Sequence, residues 1–143
     1  MKQRNFQTIK TNGVTLRAVV EGSGPLVILL HGFPQCWYLW RHQIDPLVAA
    51  GFQVAVPDQR GYGGSDEPPS IEDYDIVELS RDIAGLATAL GHEHFIVVGH
   101  DLGCAGRVAY RAVLAQASSC RGRNECSVRA ATGRLNDASG KFR

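Results

Sequence analysis

Residues 94–103 read His-Phe-Ile-Val-Val-Gly-His-Asp-Leu-Gly, and this stretch decides the fold of the chain. Its apolar run, Phe95 to Val98, is rich in β-branched residues and predicts a short strand buried on both faces. Gly99 and Gly103 then flank Asp101 in a Gly-x-Asp-x-Gly pattern. A sharp strand-to-helix turn needs such glycines, because its backbone comes too close for side chains. The stretch therefore predicts a buried strand, a tight turn that presents Asp101, and a helix from about residue 102 to residue 117.

Asp101 has two interpretations at this point. The layout is that of a nucleophile elbow with aspartate in the nucleophile's place. The free N–H groups and the dipole of a helix N-terminus favour negative charge, so we expect Asp101 to be ionised and open to a substrate. The alternative is a strand-to-helix turn in which Asp101 only caps the helix.

The composition excludes several classes of function. The 143 residues suffice for one domain with a core, and the net charge of +1 argues against binding nucleic acid by charge. No apolar run follows Met1–Asn5, so we predict no signal peptide, and the longest apolar run, Leu26–Leu30, is too short to span a membrane. The four cysteines have neither metal-ligand spacing nor the density of a disulfide framework. We therefore expect a cytoplasmic protein.

Strands and helices alternate along most of the chain. Two alternating segments, Phe6–Lys10 and Val14–Glu21, flank Thr11-Asn12-Gly13 and predict an antiparallel hairpin. Further strands are predicted at Leu26–Leu30 and Phe52–Val56. Helices are predicted over Trp37–Ala50, ended by Gly51, and from the capping pair Asp75 and Glu78 to Gly91.

This order predicts an α/β fold in which an N-terminal antiparallel hairpin precedes parallel strands that alternate with helices. The sheet should be covered on both faces, and a ligand should bind beyond the carboxyl ends of its strands. Three loops should meet there: His31–Pro34, Asp58–Ser65 and Gly99–Gly103. The second loop is rich in glycine, but no Gly-Lys-Ser/Thr follows, which argues against a phosphate-binding P-loop.

Four motifs stand in this order: His-Gly-Phe-Pro at 31–34, Trp-Tyr-x-Trp-Arg-His-Gln at 37–43, Asp-Gln-Arg-Gly-Tyr-Gly-Gly-Ser at 58–65 and Gly-His-Asp-x-Gly at 99–103. Together they resemble the α/β-hydrolase family, and most closely its epoxide hydrolase branch. The resemblance covers residues 6 to about 110. It implies an α/β-hydrolase fold that is incomplete in this chain.

The resemblance also implies a site. Asp101 would be the nucleophile that opens an epoxide to an ester, which water then hydrolyses to a diol. The backbone N–H groups of Phe33 and Leu102 would form the oxyanion hole. Trp37 and Pro34 would bind the substrate, and a cis peptide bond would precede Pro34. No cofactor is implied, and the partner would be a small-molecule epoxide or organohalide. An aspartate suits this chemistry, because it needs no base before it attacks.

The sequence departs from the family after the elbow. The family's order is nucleophile, acid, histidine, yet no histidine follows Asp101. The later carboxylates, Glu125 and Asp137, lie in a basic segment, 118–143, which holds six Lys/Arg and two Asp/Glu against nine and twelve in residues 1–117. We predict that residues 1–117 are the N-terminal part of an α/β-hydrolase domain without cap and C-terminal part. Residues 118–143 would be a tail that is disordered or outside the family context. We expect such a chain to be truncated, marginally stable and catalytically impaired.

Two alternatives to an epoxide hydrolase remain open. A haloacetate or haloalkane dehalogenase would release halide instead of forming a diol. A non-catalytic interaction module or pseudoenzyme would bind a partner without any dependence on Asp101. The histidines do not decide between these functions, because His31 and His100 are expected to be structural rather than catalytic.

Overall fold

The computed structural model describes residues 3–101 and 103. A mixed five-stranded sheet lies at its centre. Its strands are β1 (Phe6–Thr11), β2 (Val14–Glu21), β3 (Leu26–Leu30), β4 (Gln53–Pro57) and β5 (Phe95–Gly99). The helices are α1 (Arg41–Ala49) and α2 (Ile76–Ala89), with short 3₁₀ helices at Trp37–Trp40 and Ile71–Tyr74. In this part of the chain no helix has the length and apolar character needed to cross a bilayer.

The strands lie in the order β1-β2-β4-β3-β5. Antiparallel pairs join β1 to β2 and β2 to β4, whereas β3 is parallel to both of its neighbours, β4 and β5. All five residues of β3 are buried, as expected for a strand between two others. The predicted fold class, a hairpin followed by parallel strands that alternate with helices, is confirmed.

Helices cover both faces of this sheet. On one face, Ile83, Leu86 and Ala87 of α2 pack into a cluster with buried side chains of β1 to β5. On the other face, Ile44 of α1 joins a cluster built from β2, β3 and β4, and Trp37 packs against it. The burial of these apolar surfaces is the main force that holds the layers together.

The segment predicted as one helix, Trp37–Ala50, begins instead as a 3₁₀ turn, Trp37–Trp40, and continues as α1. In a 3₁₀ helix, side chains three residues apart lie one above the other, so both indoles of the turn pack against the same core cluster. The predicted end is confirmed. Gly51 has φ +86, and the N–H groups of Gly51 and Phe52 donate to the carbonyls of Val48 and Leu47, which is a Schellman motif.

The prediction that β5 is buried on both faces is wrong. Phe95 and Val97 pack into the cluster beneath α2, but Ile96 and Val98 are 42% and 37% exposed. Successive side chains of a strand point to opposite faces. The core cluster on the second face is formed by β2, β3, β4 and α1, and contains no residue of β5. Among the described residues, the alternation therefore leaves Ile96 and Val98, on the second face of this strand, partly exposed.

A buried ion pair joins the glycine-rich loop to α2. The guanidinium of Arg60 donates from Nε and Nη2 to the two carboxylate oxygens of Asp82, with both distances 2.6 Å. Both side chains are only 3% exposed. Asn12 donates to Oδ1 of Asp82 as well, at 3.1 Å. Two charges taken out of water are tolerated here because each finds a partner in the other.

We predict that Asp82→Asn lowers the free energy of unfolding by about 3–5 kcal/mol, because it removes the carboxylate that is hydrogen-bonded to the buried Arg60 charge. Urea unfolding at neutral pH measures the change. The matched control is Arg81→Gln, one residue earlier on α2, whose side chain is 55% exposed and pairs with Glu78 at the surface. That variant should lose less than about 1 kcal/mol. Equal losses in the two variants would contradict the prediction.

Candidate active site

The three predicted loops meet at the carboxyl ends of β3, β4 and β5. The N–H of Gln59, after β4, donates to Nε2 of His31, after β3, at 3.0 Å. The N–H of His100, after β5, donates to the carbonyl of Leu30 at 3.0 Å. Parallel strands end at the same edge of a sheet, so loops that are far apart in sequence become neighbours. The prediction that these loops gather at one edge is confirmed.

Asp101 lies at the tip of the turn that follows β5. Its side chain is exposed, and its backbone has φ +54, in the left-handed region that side chains other than glycine seldom adopt. The N–H of Gly103 donates to the carbonyl of His100 at 2.9 Å and closes the turn around it. Aspartate tolerates this conformation better than most residues, and backbone strain of this kind clusters at functional sites.

The loop after β3 brings a backbone donor to this carboxylate. The N–H of Phe33 donates to Oδ2 of Asp101 at 3.0 Å. The Phe33–Pro34 peptide bond is cis, as the resemblance implies, and the N–H of Gln35 donates to the carbonyl of Gly32 at 2.9 Å across the turn. One carboxylate oxygen is thereby held by a fixed amide, and the side chains of Phe33 and Pro34 are exposed beside it.

Gly32 makes the close approach of the two loops possible. A Cβ at this position would lie 2.5 Å from Cβ of Asp101, 2.7 Å from its Oδ2 and 2.8 Å from the carbonyl oxygen of His100. Real Cβ atoms do not come this close to other atoms, so any side chain here would push the loops apart. Steric crowding by Asp101 and His100 therefore explains why the His-Gly-Phe-Pro motif has glycine at its second position.

His31 is fully buried and uses both ring nitrogens within the fold. Nε2 accepts the hydrogen bond from the N–H of Gln59, and Nδ1 lies 3.0 Å from the carbonyl oxygen of Gly32. The side-chain amide of Gln59 also donates to the carbonyl of His31 at 2.6 Å. Burial lowers the pKa of His31, and the hydrogen bond to Gly32 and the nearby charge of Asp58 oppose that shift more weakly. These contacts agree with the structural role expected for His31.

Asp58 organises the same edge, and sequence reasoning did not single it out. Its Oδ2 accepts hydrogen bonds from Nε and Nη2 of Arg17 at 2.9 and 2.6 Å and from the N–H of Gly64 at 3.2 Å. Its Oδ1 accepts one from the N–H of Trp37 at 2.9 Å. An aspartate directly after a buried strand, at the start of a glycine-rich loop, was the available signal. The loop thus folds around a carboxylate of the chain itself.

The other predicted site residues have less direct evidence. Trp37 is half-buried, packs on the core and meets the ring of Phe6 edge-on at 5.1 Å. Leu102 lies outside the described residues, as do the predicted helix after it and the tail 118–143. The roles of Trp37, Pro34 and Leu102 therefore stay predictions. Within residues 3–101 and 103, no group of three or more His, Cys, Asp or Glu side chains is placed to hold a metal ion.

The family described as alpha/beta hydrolase fold matches residues 25–116. The chain belongs to the α/β-hydrolase family. This α/β-hydrolase is 52% identical over 106 residues to the AB hydrolase superfamily protein YfhM of Bacillus subtilis, covering 73% of this chain and 36% of the relative. It is 54% identical over 97 residues to epoxide hydrolase A of Mycobacterium tuberculosis, covering 66% of this chain and 30% of the relative.

Solved structures agree with this assignment. The crystal structure of epoxide hydrolase A from Mycobacterium thermoresistibile matches with a TM-score of 0.73 at 47% identity, over 76% of this chain and 34% of that one. Epoxide hydrolase VrEH1 from Vigna radiata matches with a TM-score of 0.74 at 39% identity, over 77% and 34%. This α/β-hydrolase thus resembles epoxide hydrolases in sequence and in fold, and it spans about a third of the length of the relatives that it matches.

We predict that acid destabilises this α/β-hydrolase through His31. Because burial lowers the folded-state pKa, the unfolded chain binds a proton below about pH 6.5 that the folded chain does not. The free energy of unfolding should therefore fall as the pH drops through that value, by at most about 1.4 kcal/mol per pH unit for this one group, until the lowered folded-state pKa is reached.

Urea unfolding between about pH 7.5 and pH 5 tests this prediction, since histidine is the side chain whose ordinary pKa lies in that range. The His31→Gln variant should show a shallower loss of stability with acid than the wild-type chain. The exposed His42 supplies the control, because His42→Gln should keep the wild-type slope. If His31→Gln lost stability with acid as steeply as the wild-type chain, the acid sensitivity could not be assigned to His31.

Proposed function

We propose that this chain carries the nucleophile of an epoxide hydrolase-type site and that Asp101 attacks the substrate. The observation that carries the proposal is the hydrogen bond from the N–H of Phe33 to Oδ2 of Asp101, at 3.0 Å. It anchors an exposed carboxylate, on a strained turn, at the edge of the sheet where α/β proteins bind ligands. Several relatives that this chain matches bear the name epoxide hydrolase, which supports an epoxide as the substrate.

In the proposed first step, a carboxylate oxygen of Asp101 attacks a carbon of the epoxide ring. A carbon–oxygen ester bond forms, the ring carbon–oxygen bond breaks, and the released oxygen takes a proton from water. The attack is on a saturated carbon, so an ionised carboxylate serves without a base that activates it. The hydrogen bond from Phe33 holds one oxygen and so orients the other toward the substrate. The exposed side chains of Phe33 and Pro34, with Trp37, would give the substrate an apolar surface.

In the proposed second step, water attacks the carbonyl of the ester and releases a diol. The negative charge that develops on the carbonyl oxygen would be stabilised by the N–H groups of Phe33 and Leu102. This step needs a base. His31 is a poor candidate, because both of its ring nitrogens are engaged in hydrogen bonds inside the fold. No histidine follows Asp101 within these 143 residues, so we expect the ester to persist on a polypeptide made of these residues alone.

The predicted result is a stable covalent adduct after incubation of the full chain with styrene oxide, an aryl epoxide. Intact-mass spectrometry should show one addition equal to the mass of the epoxide, because ring opening expels no atoms. Peptide mapping should place it on Asp101. The Asp101→Asn variant keeps the shape of the side chain but cannot form this ester, so it should remain unmodified.

A control at a second exposed carboxylate distinguishes reaction at Asp101 from general alkylation of the protein surface. Glu93 is exposed and lies outside the site, so Glu93→Gln should form the adduct as the wild-type chain does. The proposal would be contradicted if the wild-type chain formed no adduct, or if Asp101→Asn formed the adduct as well. Halide release from a haloacetate through Asp101, without reaction at the epoxide, would favour a dehalogenase instead. If neither reaction occurred, and a partner bound equally well to the wild-type chain and to Asp101→Asn, an interaction module would be favoured.

A further inference from the structure

We propose that His31 is a positioning residue for this site, and that its Nδ1–H sets the direction in which the N–H of Phe33 points at Asp101. The inference rests on the proposed function, since it concerns the residue that orients the nucleophile's backbone donor. It adds a role to a histidine that is buried and does not itself touch the reacting atoms. The observations that carry it are three hydrogen bonds around one peptide plane.

The peptide plane between Gly32 and Phe33 links the histidine to the nucleophile. The carbonyl oxygen of Gly32 lies 3.0 Å from Nδ1 of His31 and accepts the N–H of Gln35 at 2.9 Å. The N–H of Phe33 belongs to the same plane and donates to Asp101. In a trans peptide, the C=O and N–H groups are rigidly fixed in opposite directions. Whatever holds the carbonyl of Gly32 therefore also aims the N–H of Phe33.

The tautomer of His31 follows from Gln59. A backbone N–H can only donate, so the 3.0 Å contact from the N–H of Gln59 requires Nε2 to be the acceptor. In the neutral ring the single proton must then be on Nδ1, where it faces the carbonyl of Gly32. Gln59, in the loop after β4, thereby determines that the ring proton of His31, in the loop after β3, is on Nδ1.

The ring has little freedom to leave this arrangement. It is fully buried, and it meets the ring of Tyr62 at 5.0 Å between centroids, with the two planes at 74°. The side-chain amide of Gln59 holds the carbonyl of His31 at 2.6 Å. Burial lowers the pKa of His31, which keeps the ring in the neutral form that the contact with Gln59 requires. A continuous chain of hydrogen bonds thus runs from Gln59 through His31 and the Gly32–Phe33 peptide to Asp101.

Two substitutions separate positioning from packing. In His31→Asn, the amide nitrogen can take the place of Nδ1 and donate to Gly32, but nothing remains at the position of Nε2. In His31→Gln, the amide oxygen can take the place of Nε2 and accept from Gln59, but the donor to Gly32 is lost. Both variants remove the ring, so a role in packing alone predicts that they behave alike.

The readout is the backbone amide of Phe33 in ¹⁵N–¹H NMR spectra of the full chain. In the wild type, this amide should show the downfield proton shift of a hydrogen bond to a carboxylate, and Asp101→Asn should reduce that shift. His31→Gln should also reduce it and should speed hydrogen exchange of this amide by roughly tenfold, the change expected for one lost hydrogen bond. His31→Asn should keep most of the shift, and His42→Gln should keep all of it. Equal spectra at Phe33 in the two His31 variants would overturn the proposal.

A measurement on the wild type decides the matter if the variants do not fold. The ¹⁵N shifts of the His31 ring at neutral pH should identify Nδ1 as the protonated nitrogen, and a proton on Nε2 would overturn the proposal. The rate of adduct formation with styrene oxide is read separately. Its maximal rate should fall by roughly tenfold to a hundredfold in His31→Gln, with the half-saturating concentration unchanged. Absence of the adduct in the wild type would count against the proposed function, whereas the NMR results would still decide the role of His31.

Discussion

The parallel pairing of β3 with β4 on one side and β5 on the other is the constraint on which the site depends. Leu26 pairs with Gln53 and also with Phe95, so all three strands run in the same direction and end at the same edge. The loop of Phe33 is consequently brought within hydrogen-bond distance of both the loop of Asp58 and the turn of Asp101. A shift of one residue in either pairing would turn the side chains of that strand to the other face and separate these loops.

Much of the polar machinery at this edge is buried, which is unusual for charged side chains. Asp58 has lost all contact with solvent, yet it has hydrogen bonds from Arg17, Gly64 and Trp37. Arg60 is tied to Asp82 in the same manner. Buried polar groups are costly unless each is satisfied, and a satisfied network admits few alternative arrangements. Hydrogen bonds link this network to the exposed carboxylate of Asp101, because Gln59, which follows Asp58, bonds to His31 and the N–H of Phe33 in the loop of His31 donates to Asp101.

The sequence was sufficient for the parts of the fold that follow from periodicity and from special residues. The hairpin around Asn12-Gly13, the apolar strand β3, the amphipathic helix α2 and the glycine ends of both helices were all found where they were predicted. The turn around Asp101 was also predictable, because glycines mark places where space is short. The exposure of Ile96 was not, since an apolar run does not reveal which neighbours will cover it.

Other features depend on contacts between residues that are distant in the chain, and no local pattern contains them. The hydrogen bonds of Asp58 join segments up to 41 residues apart. Gln59 belongs to the motif at 58–65, but nothing local predicts its two hydrogen bonds to His31, because a glutamine in a loop is ordinarily solvated. The 3₁₀ turn at Trp37 was missed for a related reason: its tighter winding is set by the core surface onto which the two indoles pack, and not by helix propensity.

The hydrogen bond between Phe33 and Asp101 closes a loop of 68 residues, and this has a consequence for the order of folding. The hairpin of β1 and β2 needs only local contacts, so it can form early and fast. Contacts across a long loop must first overcome a larger loss of chain entropy, and they slow folding. During synthesis on the ribosome, the support for Asp101 cannot be completed until β5 has left the exit tunnel. Until then, β3 can pair with β4 on one side only, and the other edge of this apolar strand is unpaired in the nascent chain.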